Sequence, residues 1–222
     1  MNHHFSMGLK ALFLNCTLKR SPGISNTRVL IDKAVRLFEG IGVESEVVRV
    51  TDYNVKFGVS SDEGEGDEWP SILEKVRACD ILVIGSPIWF GVRSSVAQMV
   101  MERLDGTYEE NDPKTGQFPL YGKVGGVIIT GNEDGAHDVA ANTLFNLTHL
   151  GCTIPPNVDS YWVGPAGPGP SYIAAGGEKH LYTNKTVRYM VHNLAFFAEL
   201  LRSNPITTNI NELYEDALKE SE

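Results

Sequence analysis

Three stretches of this chain place chemically useful side chains beside a chain reversal. Residues 15–27 carry hydroxyls at Thr17, Ser21, Ser25 and Thr27 and cations at Lys19 and Arg20. They run into a helical pattern, whose first N–H groups lack intrahelical acceptors and whose dipole favours an anion. That combination reads as a phosphate cradle; the plainer alternative is a turn with an ordinary N-cap. Residues 85–91 frame Trp89 and Phe90 between Pro87 and Gly91. A rigid aromatic ledge of this kind suits a flat ligand, though two rings covering a core would look the same. Residues 130–137 combine Gly131 and Gly135, which permit close backbone approach, with Asn132, Glu133, Asp134 and His137. There the alternative is a turn capped by Asp134, with His137 as a surface or capping histidine.

Several chemistries are excluded. The chain has no G-x-x-x-x-G-K-[ST] and no G-x-G-x-x-G, so neither a P-loop nor a standard dinucleotide fingerprint is present. A cysteine phosphatase needs an arginine six residues after its nucleophile; six residues after Cys16 stands Pro22. Cys16 therefore reads as a small packing residue. A response-regulator receiver wants acids at the end of its first strand, where this chain has Asn15-Cys16.

The elements that must position these loops follow from periodicity. Apolar runs at 9–14, 81–84 and 124–129, an alternating stretch at 43–50 and a short segment at 158–163 read as strands. Between them, residues from Asn26 (stopping at Gly40 or Gly42), about 70–78, 94–104, 137–150 and 184–202 carry apolar side chains at helical spacing. Ser25 or Asn26 is placed to cap the first helix. In the 94–104 helix the expected buried side is Val96, Met99, Val100 and Leu104. Strictly alternating strands and helices predict an α/β fold: a doubly wound five-stranded parallel sheet with helices on both faces. The expected order is 2-1-3-4-5. In such sheets ligands bind at the carboxyl ends of the strands, where all three loops lie.

Charge is concentrated in two places. The 222 residues carry a net charge of −9, with −5 in Asp62–Glu68 and −4 in residues 212–222, so the remainder is neutral. Both runs read as solvated loop or tail. No basic excess supports nucleic-acid binding, and no apolar run approaches a membrane span. The apolar stretch near the N-terminus is too short for a signal peptide. Cys16, Cys79 and Cys152 have neither disulfide-framework nor metal-ligand spacing, which makes the cytoplasm the expected compartment. The expected division is a flexible N-terminus over 1–8, a flavodoxin-like domain over 9–203 and an acidic tail over 204–222. Residues 51–68 are expected to be a mobile excursion.

With Thr17-x-Lys19, Ser25-Asn26-Thr27, Ser86-Pro87-Ile88-Trp89-Phe90-Gly91 and Thr130-Gly131-Asn132-Glu133-Asp134-Gly135 each at a strand end, the chain resembles the flavodoxin-like NADPH-dependent FMN reductase and NAD(P)H:quinone oxidoreductase family. The resemblance covers about residues 9–202. It implies non-covalent FMN, its phosphate held by Thr17, Lys19, Ser25, Asn26 and Thr27. Pro87, Ile88, Trp89, Phe90 and Gly91 would border the ring, and Thr130, Gly131, Asn132 and Gly135 would close its other side. NAD(P)H would be the co-substrate, with hydride passing through the flavin to a quinone or similar small acceptor, and no catalytic side chain is required. Tyr108, Tyr121 and Trp162 are further, weaker stacking candidates. A homo-dimer or tetramer is implied as well. Some relatives carry a cysteine cluster for an iron–sulfur centre, for which the cysteines here are too dispersed. Residues 52–68, 106–121 and 164–177 exceed what a minimal flavodoxin needs and read as lids or partner contacts. The alternatives are a flavodoxin-type electron carrier serving a protein partner, and a non-enzymatic binding module.

Overall fold

The computed structural model of the protein describes residues 8–165, 167 and 169–221. Most of the expected flexible N-terminus (residues 1–7), positions 166 and 168 of the Gly/Pro segment, and residue 222 lie outside the described residues.

Five parallel strands form the sheet: β1 (Lys10–Asn15), β2 (Glu44–Arg49), β3 (Ile81–Trp89), β5 (Val124–Gly131) and β6 (Asp159–Val163). Their spatial order is β2-β1-β3-β5-β6, and a two-residue strand β4 (Val92–Arg93) pairs antiparallel with the end of β3. Without β4 this is the expected 2-1-3-4-5 order. Helices α1 (Asn26–Glu39) and α5 (Leu181–Ser203) cover one face, while α2 (Trp69–Ala78), α3 (Ser95–Asp105) and α4 (Ala136–His149) cover the other. The period-2 geometry of β1 feeds both cores: Ala11 and Phe13 pack toward α1, Leu12 and Leu14 toward α2 and α3.

Local signals set the helix ends. Ser25 caps α1 by accepting the Arg28 N–H at 3.1 Å, and Gly40 ends it. Ser94 caps α3 by accepting the Ala97 N–H at 3.1 Å. Pro70 sits in the first turn of α2, where its missing N–H costs nothing.

Three expectations change. First, β3 does not stop at Ile84; it runs through Gly85 and Pro87 to Trp89, paired to β5 as far as Pro87–Thr130. Phe90 (φ 50°) and Gly91 (φ 78°) then form the two-residue turn to β4. Two successive positive φ values match the hairpin turn whose twist suits its flanking strands.

Second, the buried side of α3 is Ala97, Val100, Met101, Arg103 and Leu104, with Val96 and Met99 only partly covered. The face is rotated toward Arg103, which is fully buried. Its guanidinium pairs with Asp67 at 2.7 Å, donates to the carbonyls of Lys56 (2.8 Å) and Ser60 (3.0 Å), and lies 5.6 Å from the Trp69 ring centre. The acidic excursion 51–68 is thereby tied to α3.

Third, the acidic stretch after residue 203 includes a helix, α6 (Ile210–Ser221). Residues 206–211 are fastened to residues 113–117. Gln117 donates to the carbonyls of Ile206 and Thr208, and Ile210 N–H donates to the Thr115 carbonyl.

Candidate functional site

Both long loops at the carboxyl end of the sheet are shaped by neighbours. The first, residues 16–25, is held from outside by the segment after β2. The Asp52 carboxylate accepts from the Ser21 N–H (2.8 Å) and hydroxyl (2.6 Å). Arg49 donates to the Gly23 carbonyl at 2.8 Å and the Thr51 hydroxyl donates to the Lys19 carbonyl at 3.2 Å. Hydrogen bonds from Ser21 hold the Asp52 carboxyl below the usual carboxylate range, so it stays an acceptor at neutral pH. The loop also meets the hairpin: the buried Ser94 hydroxyl donates to the Cys16 carbonyl at 2.7 Å.

The hairpin tip and the loop after β5 touch through backbone. Gly135 has φ 123°, and a Cβ there would lie 2.2 Å from the Gly91 carbonyl oxygen. Glu133 accepts the Phe90 N–H at 2.9 Å. Arg93 donates to Asn146 of α4 at 2.6 Å, anchoring the returning strand.

Between these loops lies a cleft of about 240 Å³. Thr17, Lys19, Ser25, Asn26 and Thr27 line one end, Pro87, Ile88 and Trp89 one wall, and Thr130, Gly131 and Asn132 the other. The structure does not bring in all fourteen expected residues. Phe90, 95% exposed, sits at the hairpin tip, and Gly91 and Gly135 serve the contact behind it. Leu18, Ile24, Ser171 and Tyr172 join the lining and were not foreseen.

Several side chains do other work than expected. The buried Thr27 and Thr130 hydroxyls bond to each other at 2.7 Å, joining α1 to the end of β5. Asn26 accepts the Ile173 N–H at 3.0 Å, and Asn132 donates to the Gly169 carbonyl at 2.7 Å. These two amides hold the Gly/Pro segment against the cleft, and so bring in Ser171 and Tyr172. The length of residues 164–177 marks them as a lid or partner contact, but their Gly/Pro composition does not single out Ser171 and Tyr172. Trp162 is core, edge-on to Tyr172, and Tyr108 and Tyr121 flank Phe118 in a separate aromatic group. His137 bonds to the Tyr161 hydroxyl at 3.1 Å.

The remaining donors suit an anion. The Lys19 ammonium has no hydrogen-bond partner among the described residues, nor do the first-turn N–H groups of Asn26 and Thr27. The Thr17 hydroxyl accepts the Lys19 N–H at 3.3 Å and keeps its proton to donate. The lining also offers apolar surface, from Leu18 and Ile24 of the same loop and from Pro87, Ile88 and Trp89 of the wall. A phosphate with a flat aromatic ring attached fits this donor set. The thiols do not contribute: Cys16 is fully buried, and desolvation pushes its pKa far up.

Comparison with known proteins agrees with this geometry. The chain is 46% identical to 8-demethyl-8-aminoriboflavin-5'-phosphate synthase of Streptomyces davaonensis, over 97% of this chain and 87% of that protein. A crystal structure of RosB with bound 8-demethyl-8-formylriboflavin-5'-phosphate superposes with a TM-score of 0.90 at 47% identity, covering 97% of this chain and 88% of that one. An archaeal flavodoxin, 13% identical, shares the fold with a TM-score of 0.54, over 86% of this chain and 99% of its own. Residues 9–163 match the sequence model of the family described as NADPH-dependent FMN reductase. The chain is therefore a member of the NADPH-dependent FMN reductase family, with a flavodoxin-like fold.

Proposed function

We propose that the cleft binds FMN, with its phosphate at the N-terminus of α1 and its ring along Pro87–Trp89, and that the protein passes reducing equivalents from NAD(P)H to a quinone or similar small aromatic acceptor. The carrying observation is the meeting in one cleft of uncommitted anion donors with an apolar wall: Lys19 and the first turn of α1 at one end, Pro87, Ile88 and Trp89 at the other. When bound, FMN supplies the two-electron chemistry. Net, one hydride from NAD(P)H and one proton from solvent convert quinone to hydroquinone. The chain's part is to bind and orient. Lys19 and the α1 dipole neutralise the phosphate. Trp89, half exposed, leaves the wall open to a second flat molecule.

Relatedness favours a second reading, in which FMN is the substrate. The synthase that is 46% identical to this chain is named for a modified flavin phosphate, and the RosB structure holds another. One experiment separates the two. The purified protein is incubated under air with FMN and, in separate samples, with NADH or NADPH plus a quinone or with an amino acid as nitrogen donor, and the flavin is then extracted for mass spectrometry. Nicotinamide consumption with flavin of unchanged mass is the expected result. A flavin of altered mass supports the second reading, and failure to bind FMN in a fluorescence titration removes both.

The loop contacts give a further prediction. Asp52→Ala releases Ser21 and loosens the phosphate end only. It should weaken FMN binding about tenfold and leave riboflavin binding unchanged, measured by flavin fluorescence quenching. Equal losses for both ligands, or none, would show that Asp52 does not shape the phosphate site.

A further inference from the structure

Residues 169–177 bridge the two sides of the cleft on few attachments. On one side Asn26, the first residue of α1, accepts the Ile173 N–H at 3.0 Å. On the other Asn132, just past β5, donates to the Gly169 carbonyl at 2.7 Å. Between them Ser171 and Tyr172 line the cleft. The backbone bonds of the segment are otherwise its own. Ala175 N–H donates to the Ser171 carbonyl (2.8 Å), Gly176 N–H to the Ile173 carbonyl (3.1 Å) and Gly177 N–H to the Tyr172 carbonyl (2.8 Å). A turn closed by its own hydrogen bonds can leave a surface as one piece, without unfolding.

One side chain anchors this unit in the core. Tyr172 is 1% exposed and packs edge-on against Trp162, ring centres 5.5 Å apart. Its ring gains from burial, but its hydroxyl is buried with no hydrogen-bond partner among the described residues. A buried phenol usually finds a partner, and leaving that bond unmade costs stability. The docked position is therefore favoured by a ring and two amides and opposed by an orphan hydroxyl. Opposing contributions of that kind suit an element with two positions.

Size also argues for movement. With the segment docked the cleft holds about 240 Å³, below the ~300–1,000 Å³ of pockets that bury a ligand of cofactor size. A flat ring with a phosphate attached needs the segment to yield.

We propose that residues 169–177 are a strap that opens to admit the ligand and recloses over it, latched by Asn26 and Asn132 and pegged by Tyr172. Asn26 and Asn132 are then positioning residues, acting on the ligand through the strap. Closure over a flavin rests on the FMN site proposed above; the opening of the strap does not.

Chymotrypsin provides the test, because cleavage after Tyr172 requires its ring to leave the core. Cutting of the native protein follows the population of the open form. Fragments are counted by mass spectrometry, and each rate is divided by that of the unfolded chain. Cleavage after Phe38, a fully buried ring of the same core, reports global unfolding. Asn26→Ala with Asn132→Ala should speed the cut after residue 172 by about tenfold. Tyr172→Phe, which chymotrypsin also cleaves, should slow it by about fivefold, since only the orphan hydroxyl is removed. Cutting after Phe38 should rise in neither. Saturating FMN should slow the wild-type cut by about fivefold. Asparagine variants that are cut no faster, a Tyr172→Phe that is cut no slower, or a parallel rise at Phe38 overturns the strap. FMN that binds in a fluorescence titration without protecting residue 172 overturns closure over the ligand. FMN that does not bind removes the flavin reading, and closure over a flavin with it, while the variant rates still decide the strap.

Discussion

Replacing Arg103 by methionine should lower the unfolding free energy by about 3–5 kcal/mol, because it strands a buried carboxylate. Both partners are fully buried: Arg103 and Asp67 side chains are 0% exposed, 2.7 Å apart. Burial alone would push the Asp67 carboxyl up. Hydrogen bonds from Arg103 and from the N–H groups of Glu63, Lys56 and Trp69 outweigh it and hold that carboxyl well below the usual carboxylate range. The folded pKa is depressed, so Asp67 contributes stability that is fully present above its unfolded value of about 4. That contribution is lost as pH falls below that value toward the folded pKa. Arg103→Met removes the strongest of these donors and also frees the Lys56 and Ser60 carbonyls. Urea unfolding followed by circular dichroism at pH 7 measures the loss, and a change under about 1 kcal/mol would contradict a structural role for the pair. The same series run from pH 7 to pH 3 should show wild type losing stability below about pH 4, where the Asp67 carboxyl takes up a proton in the unfolded chain but not in the folded one. The Arg103→Met variant should lose less over that range, since its carboxyl has less to lose.

Arg103 also marks the limit of what the sequence could disclose. In a helix read from periodicity, an arginine between Met101 and Leu104 is assigned to the solvent side. Its burial depends on Asp67, 36 residues earlier, and on two loop carbonyls, and no local pattern encodes those. What was legible depended on local chemistry. Ile81–Ile84 is continuously apolar because its strand is covered on both faces. Ser25 sits where helix and loop meet because a hydroxyl there satisfies an orphan N–H. Alternation of such segments was enough for the sheet order and for the convergence of three loops on one cleft. The end of β3 was misread because Gly85 and Pro87 are turn residues in isolation, whereas pairing to β5 across the sheet keeps them extended. The Phe90–Gly91 turn lacks the Asn-Gly or Asp-Gly signature of its type. Asn26 and Asn132 have the right chemistry for a ligand, but their amides hold a segment whose contact with Asn26 lies 147 residues away. Residue type and position were readable in these cases; the long-range partner was not.

Gly135→Ala should cost the most at the site itself: FMN affinity should fall by at least tenfold, with a stability loss of about 2 kcal/mol from the backbone alone. Gly135 has φ 123°, which L residues rarely adopt, and its missing Cβ makes room for the Gly91 carbonyl oxygen, which would otherwise lie 2.2 Å away. Neither atom in that clash is the end of a flexible side chain, so the hairpin tip or the loop after β5 must move. The hairpin carries Trp89, and the loop after β5 carries Asn132, so moving either alters a wall of the cleft. The proposed phosphate end, built on α1 and the loop before it, stays in place. Riboflavin and FMN should therefore lose affinity by similar factors in Gly135→Ala, unlike Asp52→Ala, which acts on FMN alone. Gly91→Asn is the control, since a Cβ at Gly91 meets nothing within 4 Å and asparagine tolerates its φ of 78°. That variant should bind FMN within about threefold of wild type. Fluorescence titrations of the three proteins decide the matter. If Gly135→Ala binds FMN as wild type does, or if Gly91→Asn loses as much, the contact between the two glycines does not set the width of the cleft.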